Sequence, residues 1–490
     1  MTILEFFKTV HPSVLAAKMI FRHLQEHYPV LKIADIADTT SGGTPNRGIP
    51  EYYNGDIPWV KSGELKDGLI TTCDEYITEA GLKNSSAKLF PKGTLLVAMY
   101  GANIGKTGVL DFDATTNQAV CAIFPKVDIS REFLYWYFKQ QRIDFIAVGK
   151  GGAQPNISQT IINNASIVVP DEKVQEKIVN FLERIEKGNG IDYHFFIPEV
   201  LKDVETIYKY KNSYVTLSDS FETQLTQLEN LNQAILQEAV QGKLVKQSRL
   251  LSGPKDEPAS ELLKRIKAEK VKSGKKEKPL PPIKPEEIPF EIPENWVWCR
   301  LGEIIEYTVN LDIQKHLSPD TIINYVDIDA IDNQNFVIRE AKQKTVSELS
   351  TRARRILKPN YIVYSTVRPY LKNIAIVEDE KDNYIGSTGF NVFKTLDVEL
   401  KYAFYYLLTP YVNNSFKDLM VGFNSPSITN DQFEKCLFPL PPLSEQKRIV
   451  AEIEKQLAQT KQLKEYSNAN KKSTEQLLTA LLQNAFQNNL

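Results

Sequence analysis

The side chains best placed for chemistry in this chain suit the gripping of a polyanion and the reading of base edges better than they suit bond making. STVRPYLKN, Ser365 to Asn373, sets Arg368 and Lys372 beside Tyr370. It offers a guanidinium for guanine or phosphate and an aromatic ring for packing. A solvated loop charge accounts for the same residues equally well. Asn117-Gln118 and Ser387-Thr388 head corresponding strand-like runs. Asn and Gln pair bidentately with adenine, and the same residue types also cap turns. The turn-rich AQPNIS and FNSPSIT add Gln154, Asn156, Asn424 and Ser425 as secondary contact candidates behind a structural role. In GANIGKT only Ala102, Asn103 and Ile104 separate the two glycines, one residue fewer than the phosphate-binding loop requires. The segment reads instead as a hairpin with a glycine-shaped turn that presents Asn103 and Lys106 outward.

Other chemistries are missing their parts. There is no Asn/Asp-Pro-Pro-Tyr motif, no glycine-rich cofactor loop and no nucleophile elbow, so neither base methylation nor acyl transfer is expected of this chain alone. Of the histidines only His23 and His27 share a helical spacing. Without HExxH or a nearby acidic ligand they read as surface residues and no metal is expected. EDEKD at Glu378 reads as an exposed turn. Cys73, Cys121, Cys299 and Cys436 are scattered without a C-x-x-C pair, which argues against a zinc site and a disulfide framework. No run approaches the length of an apolar membrane span, and MTILEFFKTVHPSVLAAKMIFRHLQEHY reads as a short amphipathic helix rather than a signal peptide. A cytoplasmic protein with no membrane partner is expected. The formal net charge of -2 places any basic surface in a local groove, because a phosphate footprint usually makes a whole domain basic.

The elements that must position these loops occur twice. GGAQPNISQTIINNASIVVPDEKVQEKIVNFLERIEK from Gly151 matches GFNSPSITNDQFEKCLFPLPPLSEQKRIVAEIEKQLA from Gly422 without a gap, pairing Pro155 with Pro426 and Ile178 with Ile449. Weaker matches precede it in the same order, and ILQEAV at Ile235 answers LLQNAF at Leu481. The first copy carries the extra segment GNGIDYHFFIPEVLKDVETIYKYKN. Leu217, Phe221, Leu225, Leu228, Leu231 and Ile235 recur at steps of three and four, as do Val174, Ile178, Phe181, Leu182 and Ile185, and later Ile449, Ile453, Leu457 and Leu463. These stripes predict helices packed as a coiled coil, the alternative being core-facing helices of the neighbouring domains. TLLVAM, AVCAIFP, IINNASIVVP, YIVYSTV, NIAIVED and NVFKT read as strands, and REFLYWYFKQQRIDFIAV and LKYAFYYLLTPYVNNSF as helices, so the globular units are α+β. PLPPIKP is an extended linker.

In this order, twice over, SGGTP at Ser41, IPWVKSGEL at Ile57, NQAVCAIFP at Asn117, AQPNIS at Ala153, NWVWCRLGEI at Asn295 and PPLSEQKRIV at Pro441 resemble the specificity subunits of type I restriction-modification systems. The first copy departs at PDEKVQEKIV, and the second has YTVNLDIQK where SGGTP would stand. The resemblance implies an α+β chain of two target-recognition domains joined by long antiparallel helices as a coiled-coil spacer, with a pseudo-twofold internal repeat. The expected division is an N-terminal helical segment 1–29, recognition domain 30–170, central helices 171–248, charged and proline-rich linker 249–292, recognition domain 293–440 and C-terminal helices 441–490. It implies a non-catalytic chain that reads a bipartite site on double-stranded DNA and docks two methyltransferase subunits and, through them, restriction subunits. S-adenosylmethionine, ATP and Mg2+ would then belong to those partners, with no cofactor bound here. Thr44 of SGGTP and Lys61 of IPWVKSGEL join the candidate DNA contacts. The alternatives are the recognition chain of another restriction system and a coiled-coil scaffold that binds no DNA.

Overall fold

The computed structural model describes residues 8–126, 128–149, 156–191, 197–245, 257–272 and 279–487. The chain forms two compact units, Met1–Phe221 with Asn468–Leu490 and Glu222–Ser467.

In the first unit the helix Pro12–Leu24 starts at His11, whose Nδ1 accepts the Ser13 amide, with Pro12 in the first turn where its missing N–H costs nothing. Its apolar face buries Val14, Ala17, Ile20, Phe21 and Leu24 against helices Arg131–Val148 and Glu172–Glu186, with the Phe21 and Phe133 rings 4.9 Å apart. Burying each such side chain contributes about 1.5–3 kcal/mol. The helical core backs a five-stranded sheet in the order Ala37–Ser41, Val120–Pro125, Leu95–Ala98, Thr107–Leu110, Gly68–Ile70. Its first four strands are antiparallel and the last pair is parallel. Tyr53–Val60 runs parallel to Thr115–Thr116, and Val30–Lys32 antiparallel to Ser166–Val168.

The second unit repeats the core of this plan, with four strands in place of five in its main sheet. Ile305–Tyr307, Phe390–Thr395, Ile362–Ser365 and Ile374–Ile376 form an antiparallel sheet in the equivalent order. Ile322–Val326 runs parallel to Tyr384–Ser387, and Val297–Arg300 antiparallel to Leu437–Leu440. The duplicated sequence is therefore a duplicated fold, and the chain is α+β with an internal repeat. The Pro-rich linker is held by Arg300, whose nearly buried guanidinium donates to the carbonyls of Pro281, Pro282 and Lys435 and to Glu287. The lysine-rich stretch before it is the helix Ala259–Lys272, anchored by Leu262, Leu263 and Ile266.

Two long helices, Pro198–Val240 and Leu443–Gln487, each contribute to both units. In the second unit Thr460 and Ser467 donate to Asn232 and Gln224 at 2.6 and 3.3 Å, an antiparallel register. In the first, Tyr214 donates to Glu475 at 3.2 Å. The paired-helix expectation holds, but its seam differs from the apolar stripe read in the sequence. Tyr214, Ser218, Phe221, Leu225, Leu228, Asn232 and Ile235 are the buried or half-buried positions, whereas Leu217, Leu231 and Leu463 are exposed. A coiled-coil seam advances by 3.5 residues per turn, and positions 217 and 231 fall outside it, so polar Ser218 and Asn232 take the inner places. IINN is a second correction. It forms the helix Gln159–Asn164, because the Ser158 hydroxyl caps it by accepting the Ile161 amide. REFLYWYFKQQRIDFIAV is one helix, Arg131–Val148, capped by Ser130 and Gly149, as expected. Pro410 separates the other helical run into Leu400–Leu407 and Pro410–Lys417.

Candidate nucleic-acid interface

In the first sheet, the antiparallel order brings the end of Ala37–Ser41, the start of Val120–Pro125, the end of Leu95–Ala98 and the start of Thr107–Leu110 to one edge. The loops leaving that edge carry the candidate residues. The SGGTP turn lies flat on its neighbours. A Cβ on Gly42 would sit 2.1 Å from Thr116 Oγ1, and one on Gly43 2.3 Å from the Ala87 nitrogen. The Gly43 carbonyl accepts the Trp59 indole N–H at 2.9 Å, which joins SGGTP to IPWVKSGEL. Thr44 then donates to exposed Gln118 across the turn. Asn117 is occupied structurally, its Oδ1 capping the Ala119 amide at 3.2 Å, so Gln118 is the outward member of that pair. Lys61 is bound to Glu75 at 2.7 Å. That hydrogen bond raises the lysine above its ordinary pKa and lowers the carboxyl below its own.

Sequence reasoning passed over Arg47. Its guanidinium lies 4.5 Å from the Tyr53 ring centre and 4.8 Å from that of Trp59, with its other side on Glu75 at 2.8 Å. The aromatics hold a cationic plane that remains half exposed. Its only sequence signal is its place three residues after Thr44.

GANIGKT is the expected hairpin turn. Gly101 and Gly105 both adopt positive φ, and a Cβ on Gly105 would meet Arg142 Cγ at 2.8 Å. Asn103 and Lys106 are half exposed on this turn, the Lys106 amide donating to the Asn103 carbonyl at 2.9 Å. Exposed Asn156 bridges to Tyr100 at the root of the turn, beside the Ile157 amide on the Met99 carbonyl at 2.9 Å. Gln154 lies outside the described residues.

The second unit makes the same junction. Val367 bridges to Ser427, and the Ile428 amide donates to the Thr366 carbonyl at 3.0 Å. Arg368, Tyr370, Asn424 and Ser425 are thereby brought together and all are exposed. Arg368 has left-handed backbone geometry, φ 49, an uncommon state for a non-glycine residue, and donates to the Asn424 carbonyl at 2.8 Å. Fully exposed Phe423 and exposed Val421 share this loop, and sequence reading assigned Phe423 nothing. Its counterpart in the first copy is Gly152.

Two candidates are turned inward. Ser387 ends the strand Tyr384–Ser387 rather than heading one, is buried, and accepts the Gly389 amide at 3.3 Å, so its hydroxyl cannot reach a base. Half-exposed Thr388 follows, its amide donating to the Arg352 carbonyl at 2.8 Å. Lys372 points to Gln233 of the long helix at 3.2 Å, and burial lowers its pKa. It packs this loop onto that helix instead of presenting a free charge. The second copy's replacement for SGGTP is stitched to strand Ala353–Ile356 through Thr308 Oγ1 on the Ile356 carbonyl at 2.6 Å and the Leu311 amide on the Arg354 carbonyl at 2.8 Å. The two loop surfaces therefore differ while their scaffolds agree. Among the described residues, no helix is long and apolar enough to cross a membrane.

Comparison with known proteins accounts for the repetition. The family profile described as type I restriction modification DNA specificity domain matches residues 25–194 and again 293–470. The EcoAI type I restriction enzyme specificity subunit of Escherichia coli is 29% identical over 466 residues, covering 85% of this chain and 70% of that one. The MjaIX specificity subunit of Methanocaldococcus jannaschii is 32% identical over 164 residues, 32% of this chain and 38% of that one. The crystal structure of the HsdS subunit from Thermoanaerobacter tengcongensis is 16% identical with a TM-score of 0.42, covering 94% of this chain and 97% of that chain. Each matched stretch contains one of the two sheets and its loop-bearing edge, and this chain belongs to the type I restriction-modification DNA specificity family as a specificity subunit with two copies of the domain.

Proposed function

We propose that this subunit is the non-catalytic reader of a bipartite, asymmetric site on double-stranded DNA, each loop-bearing sheet edge reading one half. The observation that carries the reading is the recurrence of one junction, Tyr100 with Asn156 and Val367 with Ser427, at equivalent sheet edges whose loops differ in sequence. A shared scaffold with unlike loops suits two unlike half-sites. The first edge offers Arg47, Thr44, Gln118, Asn103, Lys106 and Asn156, and the second Arg368, Tyr370, Phe423, Asn424 and Ser425. Guanidinium and amide groups read base edges in the major groove, and lysines hold phosphate. The helices Pro198–Val240 and Leu443–Gln487 dock two methyltransferase subunits, through which restriction subunits join. Those partners supply methyl transfer from S-adenosylmethionine and ATP- and Mg2+-dependent cleavage.

Exchange of residues 30–170 for the equivalent stretch of a relative, with co-expressed methyltransferase subunit, tests this reading. Methylome mapping is expected to show one half of the methylated site changed and the other retained. Change in both halves would refute independent reading. The purified chain given S-adenosylmethionine and site-containing duplex is expected to transfer no methyl group above background.

A further inference from the structure

Away from both loop edges, the end of the first helix gathers a set of metal-ligating side chains. After Leu24 the chain keeps winding. The Glu26 amide donates to the His23 carbonyl at 3.1 Å, and the His27 and Tyr28 amides to the Leu24 carbonyl at 3.0 and 2.9 Å. The winding sets the His27 ring over that of His23, their centres 4.6 Å apart, and swings Glu26 to the same side. One ligand atom from each of His23, Glu26 and His27 lies within 4.8 Å of the others. Glu26, next to His27 in the sequence, is thus the nearby acidic ligand that the sequence reading missed.

We propose that His23, Glu26 and His27 bind one divalent transition cation of the zinc or nickel class. Three features support it. Two imidazoles and a carboxylate are the donor set such cations favour over magnesium or calcium, which take oxygen ligands. Glu26 and His27 are exposed and His23 half-buried beside a cavity of about 210 Å3, so a cation can enter and water can complete its coordination. The site also lies at a helix C-terminus, where the helix dipole favours positive charge. Bound there, the cation clamps the last turn of a helix whose Met19, Ile20, Phe21 and Leu24 are buried in the first core. Its role is structural and independent of DNA reading.

The test uses the untagged full-length chain, because an affinity tag of histidines would mask the site. Titration calorimetry with ZnCl2 and with NiCl2 is expected to show one site per chain, with no heat from MgCl2. His27→Gln and His23→Gln are each expected to weaken zinc at least about tenfold, the scale on which even supporting groups of metal sites act. Glu26→Gln should weaken it as well, and His316→Gln should not. Zinc should also raise the melting temperature of the wild-type chain and leave that of His27→Gln unmoved, since a ligand that binds only the folded state stabilises it. His27 is exposed, so its replacement leaves the fold intact. Absence of zinc binding, or binding that survives His27→Gln undiminished, would overturn the proposal. DNA binding is not needed for any of these readouts.

Discussion

Phe423 stands clear of the protein on a loop whose ends are tied by the Val421–Ser427 and Val367–Ser427 bridges. If this edge meets DNA as proposed, an aromatic held out in this way is placed to stack on a base or wedge between base steps, and such stacking is worth about 1–3 kcal/mol per base. Phe423→Ala is therefore expected to weaken binding of the complete methyltransferase complex to its own site by that amount, read by fluorescence anisotropy, with the fold unchanged. Equal affinity would leave Phe423 a bystander. Arg368 calls for a different substitution, because its guanidinium also fastens the Asn424 carbonyl. Arg368→Lys keeps the charge and removes the planar fork. If the fork reads a base, the methylated motif should relax at one position of the second half-site, with a loss of about 1–3 kcal/mol. An unaltered motif with slightly weaker binding would assign it to phosphate. At this scale the sequence showed residue types but not orientation. Ser387 and Lys372 look like contacts until burial turns them inward, whereas Arg47 and Phe423 gain their interest from aromatic stacking and exposure that no spacing displays.

The glycines of SGGTP connect residue to element, since the turn at Gly42 lies so close to Thr116 that no Cβ fits between them. Gly42→Ala must displace one or the other, at about 1–3 kcal/mol for overpacking. Thr44, Gln118 and Trp59 all depend on that turn, so methylation should lose specificity in one half-site while the other stays intact. Simultaneous loss in both halves would mean general unfolding. Arg300 makes the corresponding case for the linker. Its guanidinium satisfies three carbonyls and Glu287, so Arg300→Ala leaves several acceptors unpaired at a cost on the order of 3 kcal/mol. A lower urea midpoint is expected, and an unchanged one would show that water replaces the guanidinium freely. Elements of this kind were partly legible. Helix Arg131–Val148 follows directly from its apolar length, the Ser130 cap and Gly149. IINN misleads because β-branched composition outweighs the Ser158 cap when propensity is read alone.

Over the whole molecule, the division between units falls at Phe221 and Glu222 in one long helix and at Ser467 and Asn468 in the other. Polar Ser218 and Asn232 take seam positions on one helix, and buried Thr460 and Ser467 lie on the other. This is why apolar periodicity drew attention to exposed Leu217 and Leu231 instead. If the paired helices measure the distance between half-sites, lengthening both at this level should lengthen the DNA spacer and leave each unit's own contacts intact. Adding four helical residues between Phe221 and Glu222, and four between Ser467 and Asn468, extends the pair by about 6 Å. Each base pair rises about 3.4 Å along a duplex strand, and only the component of the extension along the duplex counts. The preferred spacer should therefore grow by about one or two base pairs, with both half-site sequences unchanged. Four residues turn the helix about 40° beyond a full revolution, little enough for the half-polar seam to repack. Adding the residues to one helix alone should instead put the Tyr214–Glu475 pair out of register with the Asn232–Thr460 and Gln224–Ser467 pairs and abolish methylation. Methylome sequencing of the doubly extended variant decides the matter: an unchanged spacer in an active, folded complex would show that the distance between half-sites is measured elsewhere.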